Sequence, residues 1–320
     1  MSQVREILEA MRRGDWDLAV PRARSLPETS LPEITALLEG SQDPRDRGRC
    51  YALLSHVAVA SRSPAIGTYV AQRVAVETQA KLIVQALEVV SWTQGIADYQ
   101  PVLQALDHKN RDVQRWAIQA LGACRGPEAE HRLLTTLREA PNPGTAYYAA
   151  NALARICGPA TIQALEAIFP QVPRKKPYES TLKCLIFAFA RHPSPSCTEV
   201  VRTELEATQL WGAGWASLNY LFGAGDRGDE EHVSDYLRGV FKRLKRGTNV
   251  YLYRLLHIDA PFPTEATAGL ATLKKYATDP MSHFSGEIRS LWDALTYPDH
   301  DWLLKTYPDE FEGLAPHPKP

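Results

Sequence analysis

The apolar positions of this chain recur at helical spacing, and the helices themselves recur. Between Asp112 and Gly122 the residues Val113, Trp116, Ala117, Ile118, Ala120 and Leu121 are spaced as one broad apolar helix face. The pair at its centre, Ala120-Leu121, returns as Ala52-Leu53, Ala86-Leu87 and Ala152-Leu153, at intervals of 34, 34 and 32 residues in chain order. A fixed period of this size marks a stacked helical array, because a single helix pair cannot bury its apolar face alone. No stretch alternates at period two over a useful length, so the pattern predicts an all-α chain.

Turn residues divide the pattern into elements. Residues 2–13 predict a first helix stopped by Gly14-Asp15, a second runs from Asp15 to about Ser25, and a third lies near 32–39. Residues 1–42 are expected to form an N-terminal helical cap, since terminal repeats turn one face to water. From Asp43 the period takes over and is expected to build one solenoid across residues 43–312, with a loose tail at 313–320. Partner helices open at Ser63-Pro64, Gly126-Pro127 and Gly158-Pro159, where proline in the first turn loses no hydrogen bond. Past residue 170 the repeat degenerates but continues through Ala188-Phe189, Tyr220-Leu221, Arg254-Leu255 and Ala294-Leu295, at intervals of 36, 32, 34 and 40. The loop 170–177 carries Arg174-Lys175-Lys176, which is expected to be a solvated charge cluster. The total is an α-solenoid of about eight stacked helix pairs.

Aligning the eight anchors turns each helix position into a column. The column after the anchor is Leu53, Leu87, Leu121, Leu153, Phe189, Leu221, Leu255 and Leu295; two residues before it stand Cys50, Val84, Ile118, Ala150, Ile186, Leu218, Leu252 and Trp292. These columns predict core. Two others do not. Five residues before the anchor are Arg47, Lys81, Arg115, Tyr147, Lys183, Trp215, Asn249 and Arg289. One residue before it are Tyr51, Gln85, Gln119, Asn151, Phe187, Asn219, Tyr253 and Asp293. Four residues apart, the two columns share a helix face and form the one narrow polar stripe on otherwise apolar helices. Its cations, amides and aromatics suit recognition of a partner, since amides give paired donors and acceptors and aromatics give area at low entropic cost. The same residues could equally satisfy one another along the stack, so binding and bridging both stand as readings.

Charge and composition narrow the classes. The chain has 36 Lys plus Arg against 37 Asp plus Glu, a net charge of −1. Residues 1–160 hold 18 basic and 17 acidic side chains, so neither half is a polycation and the simplest mark of a nucleic-acid binder is missing. The longest uninterrupted apolar run, Cys184 to Ala190, is seven residues, far short of the ~20 that span a bilayer. The N-terminus goes straight into a charged helix, so a cytoplasmic protein without membrane contact is expected. Five cysteines with no CxxC pair read as buried thiols, with no zinc site and no cofactor expected. No His/Asp/Ser or Cys/His set has a reason to converge. Asp299-His300-Asp301 follows Pro298 at a turn, where both residue types are ordinary.

The stretch Asp112 to Gly122 resembles the second helix of short HEAT repeats, the kind also found in phycobilisome-lyase-like proteins. Asp112, Val113, Arg115, Ala117, Ala120, Leu121 and Gly122 carry the likeness, while Gln114 and Gln119 replace charged residues usual in that pattern. The match is partial at Ala52, Ala86 and Ala152 and weak beyond 180. The resemblance implies a right-handed superhelix whose second helices line the concave face. It implies no single function. The expected function is a non-catalytic protein-binding module, a scaffold or an inhibitor of immunity type, that takes an acidic or mixed surface in the groove. The partner-binding residues expected are Arg47, Lys81, Gln85, Arg115, Gln119, Tyr147, Asn151, Lys183, Phe187, Trp215, Asn219, Tyr253 and Arg289. The alternative is nucleic-acid binding as in HEAT-like alkylpurine DNA glycosylases, with Arg115 and Lys183 on phosphates and Tyr147 and Trp215 stacking. That chemistry needs a groove carboxylate, and the stripe offers only Asp293, at one end.

Overall fold

A computed structural model of the chain describes residues 2–207 together with 213, 214, 216, 217, 220 and 221. The chain divides into two compact units, 1–161 and 162–320, so the boundary falls inside a helix. Among the described residues there are thirteen α-helices and no strand beyond one isolated bridge between Ile96 and Cys124. In order they are α1 (Gln3–Arg13), α2 (Trp16–Arg24), α3 (Leu31–Gly40), α4 (Pro44–Ser61), α5 (Pro64–Val76), α6 (Ala80–Ser91) and α7 (Gln100–Ala105). Then come α8 (Arg111–Leu121), α9 (Pro127–Arg138), α10 (Pro143–Ile156), α11 (Pro159–Ile168), α12 (Glu179–Arg191) and α13 (Pro195–Ala207).

The ends follow local chemistry. Ser2 accepts the Arg5 amide at the start of α1, and Gly14 ends the helix in the left-handed region at φ 80°, returning its amide to the Ala10 and Met11 carbonyls. Asp43, Ser63, Asn110 and Asn142 cap α4, α5, α8 and α10 in the same way. Asn142 explains why α10 begins at Pro143: the cap sits before the proline, and the proline supplies the first turn.

In the first unit α4, α6, α8 and α10 pack one on the next, and α3, α5, α7 and α9 each pack on the inner helix that follows them. This is an all-α, HEAT-like solenoid of helix pairs. Leu53, Leu87, Leu121 and Leu153 are fully buried, one on each inner helix, and so are Ala86 and Ala120. Two glycines let inner helices close up. A Cβ on Gly48 would stand 3.0 Å from the Gln85 amide oxygen, and one on Gly122 would stand 3.0 Å from the Ala152 Cα. In the second unit the Phe189 ring of α12 packs on Phe169 with centroids 5.5 Å apart, both buried.

Carboxylates tie successive outer helices together. Glu28 accepts from the Ser63 hydroxyl at the start of α5 at 2.5 Å. Glu130 of α9 accepts the Gly158 amide at 2.9 Å and the Thr161 hydroxyl, at the start of α11. Glu166 of α11 accepts from Ser194 at 3.2 Å, Ser196 at 2.8 Å and the Cys197 thiol at 2.8 Å, at the start of α13. Gly158 has no side chain with which to cap its own helix, so the previous repeat supplies the anion that the helix N-terminus favours.

One expectation is corrected here. Arg174 is exposed like Lys175 and Lys176 but is not merely a solvated charge. It donates to the Phe169, Pro170 and Val172 carbonyls at 2.6–2.9 Å, lies over the Phe169 ring at 4.9 Å, and pairs at 3.0 Å with Glu204, whose side chain is 1% exposed. The Phe169 carbonyl also takes the Val172 amide at 3.2 Å, but among the described residues Pro170 and Val172 have no amide partner for theirs, and one guanidinium with five donors satisfies both.

Candidate interaction surface

The polar stripe places Arg47 and Tyr51 on α4, Lys81 and Gln85 on α6, Arg115 and Gln119 on α8, and Tyr147 and Asn151 on α10. These are matching positions on four successively packed inner helices. Their surroundings differ.

Arg47 is engaged. It pairs with Glu77, just past the end of α5, whose carboxyl side chain is 0% exposed. The buried Tyr51 phenol donates to the same oxygen at 2.6 Å, and Arg73 stands 3.9 Å away. Burial, then the bond to Glu77, pushes the Tyr51 phenol above its ordinary range. This rung is a bridge between α4 and α5, so Arg47 serves the stack. Gln85 is half-buried over Gly48, with its Oε1 buried and unpartnered among protein atoms.

The cations of the next two rungs face water. Lys81 is exposed, and no carboxylate among the described residues pairs with it. Arg115 is 44% exposed and touches only the exposed Asp112 on its own helix, at 3.2 Å. A surface pair of this kind contributes at most about 1 kcal/mol, so the guanidinium can be recruited elsewhere. Gln119 and Asn151 are half-buried, and the half-buried Tyr147 ring tilts against Tyr148 at 5.3 Å. In the second unit Lys183 is half-buried on α12 and Phe187 is only 7% exposed. Phe187 therefore belongs to the core, as its place between Ile186 and Ala188 in an unbroken apolar run foreshadows. Trp215, Asn219, Tyr253 and Arg289 lie outside the described residues, as do Asp293 and Asp299-His300-Asp301.

No group of three His, Cys, Asp or Glu among the described residues is placed to hold a metal ion. All five cysteines are buried thiols outside any disulfide. Burial pushes the Cys50 and Cys197 thiols up to about 11 and Cys124 up to about 12, with Glu166 adding to the effect at Cys197. Such thiols carry almost no thiolate near neutrality, so they are poor nucleophiles. No helix among the described residues is long and apolar enough to cross a membrane.

The acids that hold the stack, Glu77, Glu130, Glu166 and Glu204, escape a column reading of the inner helices because they stand on or beside outer ones. A signal for two of them was in print. Glu130 precedes Gly158-Pro159 by the same 28 residues that separate Glu166 from Ser194-Pro195.

No curated protein matches the chain. Residues 99–176, which span α7 to α11 and include the Asp112–Gly122 helix, match the family model for HEAT repeats. That match is seated on paired helices that stack at the repeat interval, so residues 99–176 are a HEAT-repeat segment within the solenoid.

Proposed function

We propose that this is a non-catalytic protein-binding module, a scaffold or inhibitor, that recognises a mixed or acidic surface of its partner along the inner helices of the first unit. The observation that carries the reading is the pair of exposed cations there, Lys81 and Arg115, with the half-buried Gln119, Tyr147 and Asn151 at matching positions, on helices whose other faces are core. HEAT repeats generally mediate protein interactions, which supports the class but names no partner. Arg47 and Phe187 are left out of the recognition set, since the bridge to Glu77 and burial occupy them.

The test is charge reversal at the two exposed cations. Lys81→Glu with Arg115→Glu is expected to remove the partners captured from native lysate while leaving the thermal midpoint within a few degrees of the parent. Each exposed pair is worth at most about 1 kcal/mol to stability, so folding has little at stake there. A variant that unfolds while binding per folded molecule stays unchanged would show that the two residues bridge the stack.

A further inference from the structure

The loop 92–96, between α6 and α7, is ringed by three arginines from three other elements of the first unit. Arg62, just past α4, donates to the Trp92 carbonyl at 3.4 Å, and its guanidinium lies 6.0 Å from the Trp92 ring centre. Arg155, in the last turn of α10, reaches back 62 residues to donate to the Thr93 carbonyl at 3.2 Å. Arg125, just past α8, bonds the Ile96 carbonyl through its backbone amide at 2.8 Å. Its side chain crosses Gly95, where a Cβ would meet Nε at 3.2 Å; Gly95 sits at φ +73°.

The loop is a firm platform. Thr93 and Ile96 are fully buried, the Thr93 hydroxyl donates to Val90 at 2.8 Å, and the Ile96 amide donates to Ala123 at 3.0 Å. Trp92 by contrast is 38% exposed.

The charge there is unbalanced. No carboxylate among the described residues pairs with Arg62, Arg125 or Arg155. The carbonyl end of α6 supplies roughly half a negative charge against three cations. Arg62 and Arg155 each give one donor to that end, of the five a guanidinium carries. Burial first, and then the neighbouring Arg62, lower Arg155 to about 10. Arg62 and Arg155 are half-buried, and half-buried cations without a counter-charge are costly; an incoming anion would relieve that cost.

We propose that this ring is a docking site for an acidic peptide segment of a partner protein, its carboxylates held by Arg62, Arg125 and Arg155 and its chain laid against Trp92. Guanidinium forks match carboxylates in bidentate geometry, and Trp with Arg is the pairing enriched where binding energy concentrates. The cluster is short, and the exposed Asp98 stands just beyond the loop. A continuous cationic track for a phosphate backbone is therefore absent at this edge. Arg62, Arg125 and Arg155 lie at the ends of inner helices, whereas Lys81 and Arg115 lie nearer their starts. The two surfaces can be disabled separately.

The experiment titrates the full chain into a fluorescein-labelled Asp/Glu-rich peptide and follows anisotropy, with a dT oligonucleotide of equal charge as competitor. Arg62→Glu with Arg125→Glu is expected to weaken peptide binding by at least about tenfold, the effect of losing one good charge-assisted contact. Arg62→Lys with Arg125→Lys should fall between, and Lys81→Glu with Arg115→Glu should leave peptide binding unchanged. Absence of saturable binding, equal affinity in the Arg62→Glu/Arg125→Glu variant, or tighter binding of the oligonucleotide than of the peptide would each overturn the proposal. Should the double reversal lose its helical circular dichroism, the exposed Arg125→Glu alone carries the test, and unchanged affinity in it overturns the proposal equally.

Discussion

The Arg47–Glu77–Tyr51 contact decides whether the first rung of the stripe is structural, and its energy can be worked from the surroundings. Replacing Glu77 by Ala removes a carboxylate that is 0% exposed and strands the buried Tyr51 hydroxyl. Breaking a buried ion pair from one side costs about 3–5 kcal/mol, and an orphaned buried hydroxyl about 1–3 kcal/mol. Arg47 and Arg73 are 20% and 23% exposed, so both can turn partly towards water and recover some of that loss. The expected destabilisation is therefore about 4 kcal/mol, the lower end of the combined range. Arg47→Ala leaves Glu77 with Tyr51 and Arg73, and should cost about 2 kcal/mol. In the double variant the two losses overlap, giving a coupling of about 1.5–2 kcal/mol. Urea unfolding of the parent, both single variants and the double variant, followed by far-ultraviolet circular dichroism at pH 7, measures all four corners. A coupling below about 0.5 kcal/mol would refute the bridge, because contacting residues couple above that level. So would an Arg47→Ala variant of parental stability that no longer captures the partner.

Two further outcomes follow from the same structure. Arg174→Ala should destabilise by about 3 kcal/mol, because it leaves the buried Glu204 unpaired and the Pro170 and Val172 carbonyls without a protein donor, whereas Lys175→Ala should change the urea midpoint little; equal effects would place Arg174 back in solvent. Cys50 and Cys197 at about 11 and Cys124 at about 12 lie above the ordinary thiol value near 8.5. The folded state thus favours the neutral thiol, a contribution fully present below pH ~8.5 and lost as pH rises through 11 and 12. Unfolding midpoints should fall on going from pH 9 to 11, and Cys124→Ala should flatten part of that slope; a level profile would contradict the burial assigned to these thiols.

Much of the fold was legible because periodicity and capping are local and repeated. The Ala-Leu interval placed α4, α6, α8 and α10, and Ser63-Pro64, Gly126-Pro127 and Gly158-Pro159 placed the starts of the outer helices α5, α9 and α11. The stripe was legible as a set of positions but not as a set of environments. Nothing in a column tells that Arg47 meets a carboxylate 30 residues on while Arg115 meets only Asp112 on its own turn. Arg62, Arg125 and Arg155 were hidden for another reason. They fall ten, five and three residues after their anchors, so no column collects them, and only the loop 92–96 brings them together. Arg174 read as one of three loop cations because sequence gives no means of seeing unsatisfied carbonyls.

The carboxylates between outer helices carry a consequence for how such a chain can change length. Glu130 reaches residues 28 and 31 positions ahead, and Glu166 reaches 28, 30 and 31 ahead. Each bond crosses one repeat boundary and stops. Stability then accumulates as a sum of nearest-neighbour terms, and loss at one end need not propagate to the other. Excising or duplicating a whole repeat would return each carboxylate to an equivalent helix start, whereas deleting one or two residues would aim it at the wrong turn. The bonding offset is thus a gauge that tolerates evolution in units of one repeat and resists anything smaller.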